Sequence, residues 1–131
     1  MSIDQQNLAP VILMTYARPE HTRKTLHALA KNKLAADSVL YIFCDGPKNA
    51  KAIEKNKLVR EIVLEEEEKQ RFQSVHVQIS ETNLGLATSI ITGATQIIKK
   101  YGKCILIEDD LITAPDFLTY MNECLQYYQS V

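Results

Sequence analysis

Four short apolar runs alternate with four longer amphipathic stretches along this 131-residue chain, and that alternation constrains the fold more than any single motif. The runs are Pro10 to Tyr16, Ser38 to Cys44, Val75 to Ile79 and Cys104 to Ile107. Each has the length and the β-branched or aromatic content of a strand. Three are continuously hydrophobic, the pattern of strands buried on both faces. Val75-His76-Val77-Gln78-Ile79 instead alternates, which predicts a strand with one face less buried. Strand then helix, four times over with short connections and right-handed crossovers, predicts an α/β fold. Its expected form is a three-layer α/β/α arrangement around a mostly parallel sheet.

The stretches between the runs have helical spacing. Pro19 suits a first helical position and Glu20 complements the positive end of a helix dipole, after which Thr22, Leu26, Leu29 and Ala30 share one face. From about Asn49 to Phe72 the chain is highly charged, and Val59, Ile62 and Val63 mark a narrow apolar stripe. Glu65 to Glu68 is expected to be a solvated face, with Glu65–Lys69 and Glu67–Arg71 at the spacing of stabilising helix pairs. Leu86, Ile90, Ala94, Ile97 and Ile98 trace a stripe wide enough to pack on a sheet. Gly93 costs that helix about 1 kcal/mol relative to Ala, which close packing would explain. The last helix opens at Pro115-Asp116 and carries Phe117, Met121, Cys124, Leu125 and Tyr128 at intervals of three or four. Residues 1–9 are expected to be a disordered start, leaving 10–131 as a single domain.

Composition removes several classes. A chain of this length buries roughly two thirds of its unfolded surface, enough for a core without staples. The 15 basic residues stand against 16 acidic ones, with no basic tract, so a nucleic-acid or anionic-membrane surface is not expected. Cys44, Cys104 and Cys124 are an odd number without CxxC spacing, indicating neither zinc nor a disulfide framework. No apolar stretch reaches membrane-spanning length and no signal peptide is present, so a cytoplasmic location is expected.

In a parallel sheet the loops that follow successive strands emerge at one edge. Here those loops are Thr15 to Pro19, Asp45 to Lys48, Ser80 to Gly85 and Glu108 to Asp110. Arg18 suits a bidentate contact to a phosphate or the surface of a helix start. Asp45 suits a hydrogen bond from a nucleobase or a turn, and Asn83-Leu84-Gly85 suits ligand contact through backbone amides or a helix cap. Lys48 reads as a surface residue. Glu108-Asp109-Asp110 ends a buried strand, where three carboxylates repel one another unless a cation sits among them. A magnesium-type ion commonly takes one or two carboxylates plus the phosphates of a ligand. His21, His27 and His76 have no partner spacing. No GxGxxG follows the first strand and no GxxxxGK[ST], GxSxG or cysteine-nucleophile signature occurs, which excludes the dinucleotide, P-loop and nucleophile-elbow readings.

These residues resemble the nucleotide-sugar-binding part of GT-A-fold glycosyltransferases. Thr15-Tyr16-Ala17-Arg18-Pro19 after the first strand, Asp45-Gly46 after the second and Asn83-Leu84-Gly85 before a helix look like inverting family 2 enzymes. Ile107-Glu108-Asp109-Asp110-Leu111, continued by Ala114-Pro115-Asp116-Phe117, is closer to N-acetylglucosaminyltransferase I and its relatives. The resemblance spans residues 10 to 128 and implies a Rossmann-like GT-A fold. It implies a nucleotide-diphospho-sugar donor, UDP-linked, and Mn2+ or Mg2+ held by Asp110. Glu108 and Asp109 would contact sugar and ribose hydroxyls or support the metal. Thr15, Tyr16 and Arg18 would line the base and phosphate side, Asp45 would hydrogen-bond the uracil, and Asn83 and Gly85 would border the pocket. The acceptor stays unnamed. The family's catalytic base lies in a later half of the domain, whereas this sequence ends about twenty residues after the acids. The base is therefore expected beyond Val131, and no catalytic residue is expected within the sequence itself. A donor-binding half truncated before the acceptor site is the corresponding expectation, able to associate with its own copies through an uncovered sheet face or edge. The alternative is a catalytically incomplete nucleotide-binding or interaction module. A nucleotidyltransferase would want a glycine-rich loop after the first strand, and a receiver domain would want acids there; Tyr16-Ala17-Arg18-Pro19 and Thr15-Tyr16 supply neither.

Overall fold

The computed structural model describes residues 7–129. Within them strands β1 (Val11–Thr15), β2 (Val39–Cys44), β3 (Ser74–Ile79) and β4 (Ile105–Glu108) alternate with helices α1 (Pro19–Ala30), α2 (Ile53–Lys69), α3 (Leu86–Tyr101) and α4 (Phe117–Gln129). Single 3-10 turns at Ala35–Asp37 and Ala50–Ala52 precede β2 and α2. The four strands form one sheet in the order β3-β2-β1-β4, and every pairing is parallel. The fold is therefore α/β, with a Rossmann-like three-layer arrangement.

Alternate residues of each strand face opposite layers. Val11 and Leu13, Leu40 and Ile42, and Ile105 and Ile107 pack with Leu26 and Leu29 of α1, Val59 and Val63 of α2, and Leu118 of α4. Ile12, Met14 and Tyr41 face the other way and pack with Ile97 of α3. Among the described residues α1, α2 and α4 thus cover one face and α3 the other. Gly93 lies where that helix packs close to β2, since a Cβ there would sit 3.3 Å from the Phe43 ring.

The uneven layers change one expectation. The continuous apolar run predicts a β4 buried on both faces, yet Leu106 and Glu108 are exposed while Ile105 and Ile107 are buried. β4 is an edge strand, and α3 lies over β1 and β2 rather than over it. β3, the opposite edge, has half-buried Val75, Val77 and Ile79 with exposed His76 and Gln78, matching its alternating sequence.

The two ends of the sequence bear on two further expectations. The described start of the chain is packed rather than loose. Ala9 is fully buried and donates its N–H to Asn122 Oδ1 of α4 at 2.8 Å, while Lys103 Nζ donates to the Asn7 carbonyl at 2.6 Å. Residues 1–6 of the expected disordered start lie outside the described residues. Val131, beyond which the catalytic base is expected, also lies outside the described residues, which stop at Gln129 of α4.

The acidic run of α2 departs from a uniformly solvated face. Glu66 is buried and forms a two-point ion pair with Arg71, its Oε2 accepting from Nε at 2.9 Å. The helix stops at Lys69 because Gln70 takes a left-handed conformation at φ 56°, which turns Arg71 back onto Glu66 instead of Glu67. Cys44, Cys104 and Cys124 are free thiols. No helix among the described residues is long and apolar enough to cross a membrane.

Candidate functional site

The strand ends lie side by side. Thr15 pairs in register with Cys44, Cys44 with Ile79, and Met14 with Glu108. Four loops therefore leave the sheet at one level. The chain runs outward from β1 to β2 to β3 and then crosses back to the far side of β1, so the strand order reverses between β1 and β4. In open α/β sheets the crevice outside the carboxyl ends of the strands at such a point is where ligands bind.

A cavity of about 320 Å³ opens there. Thr15, Tyr16, Arg18, Asp45, Asn83, Gly85, Glu108 and Asp109, the eight residues expected to line a nucleotide-sugar pocket, all line it. Met14, Lys48, Leu86 and Ser89 complete the wall, and Lys48 is there although its sequence context suggests only a surface position. Asp110 does not line the cavity; it faces the other terminal nitrogen of Arg18 from the one that Asp109 engages.

The acids do not converge. Asp109 is 3% exposed and its Oδ1 accepts from Arg18 Nη2 at 2.5 Å. Asp110, its side chain half exposed, lies 3.7 Å from Arg18 Nη1. Glu108 is exposed at the end of the strand. The cation between the carboxylates is thus the Arg18 guanidinium, carried by the β1 loop across the sheet's switch point. Burial pushes the Asp109 carboxyl above the usual carboxylate range, while Arg18 pulls it back down. The Thr25 hydroxyl of α1 donates to the Asp109 carbonyl at 2.8 Å and holds the backbone of the acidic segment. Among the described residues no group of three or more His, Cys, Asp or Glu side chains is arranged to hold a metal ion.

Asp45 joins two loops. Its Oδ1 accepts from the N–H groups of Gly46 and Leu84, both at 2.9 Å, and its Oδ2 accepts from the Gly85 N–H at 3.0 Å and Asn83 Nδ2 at 3.3 Å. Asn83 Nδ2 also donates to the Gly46 carbonyl at 2.8 Å. Glycine is needed at both ends of this contact for different reasons. A Cβ on Gly46 would lie 2.7 Å from the Thr82 backbone, so the loops approach only without it. Gly85 has φ 84° and ψ 156°, a region that L side chains essentially never adopt.

Two residues with no motif organise the same loops. Asn56 of α2 is buried, and its Nδ2 donates to the carbonyls of Tyr16 at 2.8 Å and Asp45 at 2.7 Å. Its Oδ1 accepts from Arg60 Nε at 3.0 Å, and Arg60 Nη2 donates to the Ser80 carbonyl at 3.3 Å. One side-chain pair thereby ties the loops after β1, β2 and β3. The sequence does hold a signal for it: Asn56 is in line with Val59 and Val63 on the apolar stripe, where a polar residue must find partners. Asn32, after α1, plays a similar part for the β4–α4 loop. Its Oδ1 accepts from the Leu118 N–H at 2.9 Å and its Nδ2 donates to the Thr113 hydroxyl at 3.1 Å.

The remaining lining groups are partly engaged. Thr15 Oγ1 donates to the Phe43 carbonyl at 3.0 Å, and the Tyr16 hydroxyl accepts from the Lys48 N–H at 2.7 Å. The residues that line the cavity thus include the cationic Arg18 and Lys48, the exposed Glu108, the aromatic Tyr16 and the apolar Met14 and Leu86. No known family model matches the chain, and no curated protein compared with it is similar to it.

Proposed function

We propose that this domain binds a nucleotide-diphospho-sugar, UDP-linked in the simplest case, as the donor-binding part of a GT-A-type glycosyltransferase acting on an acceptor hydroxyl. The observation that carries the proposal is the common cavity of residues from four separate loops at the β1–β4 switch point. Its chemistry suits such a ligand. Arg18 retains N–H donors beyond the one engaged by Asp109, and a guanidinium pairs well with phosphate oxygens. Lys48, which also lines the cavity, is a second positively charged residue, and the exposed Glu108 carboxylate can accept from a sugar hydroxyl.

A metal ion fits this donor set in one way only. The described residues hold no cage of carboxylates. Asp110 is half exposed, though, and its ion contact with Arg18 is a loose one. One such carboxylate is what a manganese or magnesium ion needs when the remaining ligands are phosphate oxygens and water. Asp110 lies outside the cavity lining but 3.7 Å from Arg18, which lines it, and from there would hold the ion together with the diphosphate, whose charge the bound ion would neutralise. Arg18 meanwhile keeps Asp109 paired and orients the phosphates.

Calorimetric titration with UDP, once with manganese and once with chelator, tests the proposal. Binding is expected with manganese and is expected to weaken by tenfold or more, about 1.4 kcal/mol, in Asp110→Ala, with the unfolding midpoint unchanged. Equal affinity in that variant would remove Asp110 from the metal role. Absence of binding under both conditions would sink the nucleotide proposal itself.

A further inference from the structure

The ladder that joins β1, β2 and β3 ends at the edge of the cavity. There the Asp45 N–H donates to the Thr15 carbonyl at 3.2 Å and the Ser80 N–H to the Cys44 carbonyl at 2.9 Å. Beyond these rungs, side chains join the loops. Asp45 does so from within the site, whereas Asn56 and Arg60 do so from α2 and line no part of the cavity.

Asn56 and Arg60 stand one turn apart, the spacing of side chains that meet on one helix face. A guanidinium holds its donors in a fixed fork and has no acceptor. Arg60 Nε can therefore meet only the Oδ1 of Asn56, which it does at 3.0 Å. Both N–H bonds of that amide are left for the Tyr16 and Asp45 carbonyls. The other arm of the fork, Nη2, donates to the Ser80 carbonyl at 3.3 Å. Nη1 lies 3.6 Å from Glu81 Oε2, but the Glu81 side chain is 83% exposed, so that ion pair contributes little.

One fork thus completes the amide that holds the loops after β1 and β2, and also anchors the start of the loop after β3. That third loop is gripped at both ends, at Ser80 by Arg60 and at Leu84 and Gly85 by the Asp45 carboxylate. We propose, resting on the nucleotide-sugar function above, that Arg60 is a positioning residue for this site. It acts through Asn56 and Ser80, holding the Asn83 and Gly85 wall of the cavity in register with the wall formed by Tyr16 and Asp45.

The experiment compares the intact wild-type chain with Arg60→Ala, Arg60→Lys and Glu81→Ala. It reads amide exchange by NMR without ligand, and UDP affinity with manganese. Arg60→Ala is expected to speed exchange of the Leu84 and Gly85 amides by about tenfold more than that of the Leu13 and Ile42 amides in the sheet. UDP affinity is expected to fall by about tenfold in the same variant. Arg60→Lys keeps the charge without the fork and is expected to repeat both effects, which also serves if Arg60→Ala does not fold. Glu81→Ala is expected to match wild type. Wild-type exchange and affinity in Arg60→Lys would make charge the whole of the role and overturn the inference. An equal rise at Leu84, Gly85, Leu13 and Ile42 would reduce Arg60 to general stability and overturn it as well. Unaltered UDP affinity in both Arg60 variants would do the same while leaving the nucleotide site in place. A wild-type chain that binds no UDP would bring down the nucleotide function, and the site role of Arg60 with it, whatever the exchange rates show.

Discussion

Tyr41 shows how a single side chain reports on the thin side of this molecule. It is 5% exposed, its phenol shares a 2.8 Å hydrogen bond with the Tyr101 hydroxyl of α3, and its ring stacks on His76 at 4.7 Å. Burial, reinforced by Tyr101, pushes its pKa up to about 12. A folded-state pKa raised above the unfolded value means that the contribution to stability is fully present below pH of about 10 and is lost as the pH rises through about 12. NMR titration of ring-labelled tyrosine is expected to show Tyr41 titrating near that upper value, and Tyr101→Phe is expected to bring it down. An ordinary phenol midpoint for Tyr41 would mean that α3 does not seal this side of the sheet. The glycines show the same single-residue dependence at the site itself. Gly46 is required by space and Gly85 by backbone conformation, so neither tolerates a side chain without moving the loops that Asp45 joins.

At the scale of elements, α2 does more than fill a crossover. Its stripe of Asn56, Val59, Val63 and Glu66 is buried throughout, and the two polar members serve opposite ends of the helix. Glu66 closes the C-terminal turn through Arg71, while Asn56 ties the site loops after β1 and β2. Asn56→Ala leaves the Tyr16 and Asp45 carbonyls without that donor, at a cost of about 1–3 kcal/mol. Urea unfolding is expected to show that loss with an unchanged slope. UDP affinity is also expected to fall, because Tyr16 and Asp45 both line the cavity. Lys57→Ala, one exposed residue further along the same helix, serves as the control and is expected to change neither. A stable Asn56→Ala variant with full affinity would show that the loops hold their places without α2.

The molecule as a whole is asymmetric across its sheet. Among the described residues α1, α2 and α4 cover one face, while α3 covers part of the other and leaves Leu106 of β4 39% exposed. Ile91 and Ile98 of α3 are also exposed, at 66% and 47%. Exposed apolar area beside an edge strand invites association. Leu106→Lys is expected to reduce concentration-dependent self-association in sedimentation velocity, while altering unfolding free energy by no more than about 0.5 kcal/mol. A wild-type chain that stays monomeric at high concentration would contradict the expectation.

Local chemistry in the chain dictated the elements. Continuous apolar runs, Pro19 at a helix start and the spacing of Leu86 to Ile98 specify strand, helix and parallel order, because backbone periodicity acts over a few residues. The loops that share the cavity were equally legible, since parallel strands must release them at one edge. Long-range contacts decided the rest. Arg18 sits among the acids because β1 and β4 are neighbours across 91 residues of sequence, and Asp45 is saturated because a loop 39 residues later delivers its amides. Leu106 is exposed, and β4 only half buried, because α3 crosses over β1 and β2 instead. None of these follows from local spacing, because each depends on which surfaces meet once the sheet has formed.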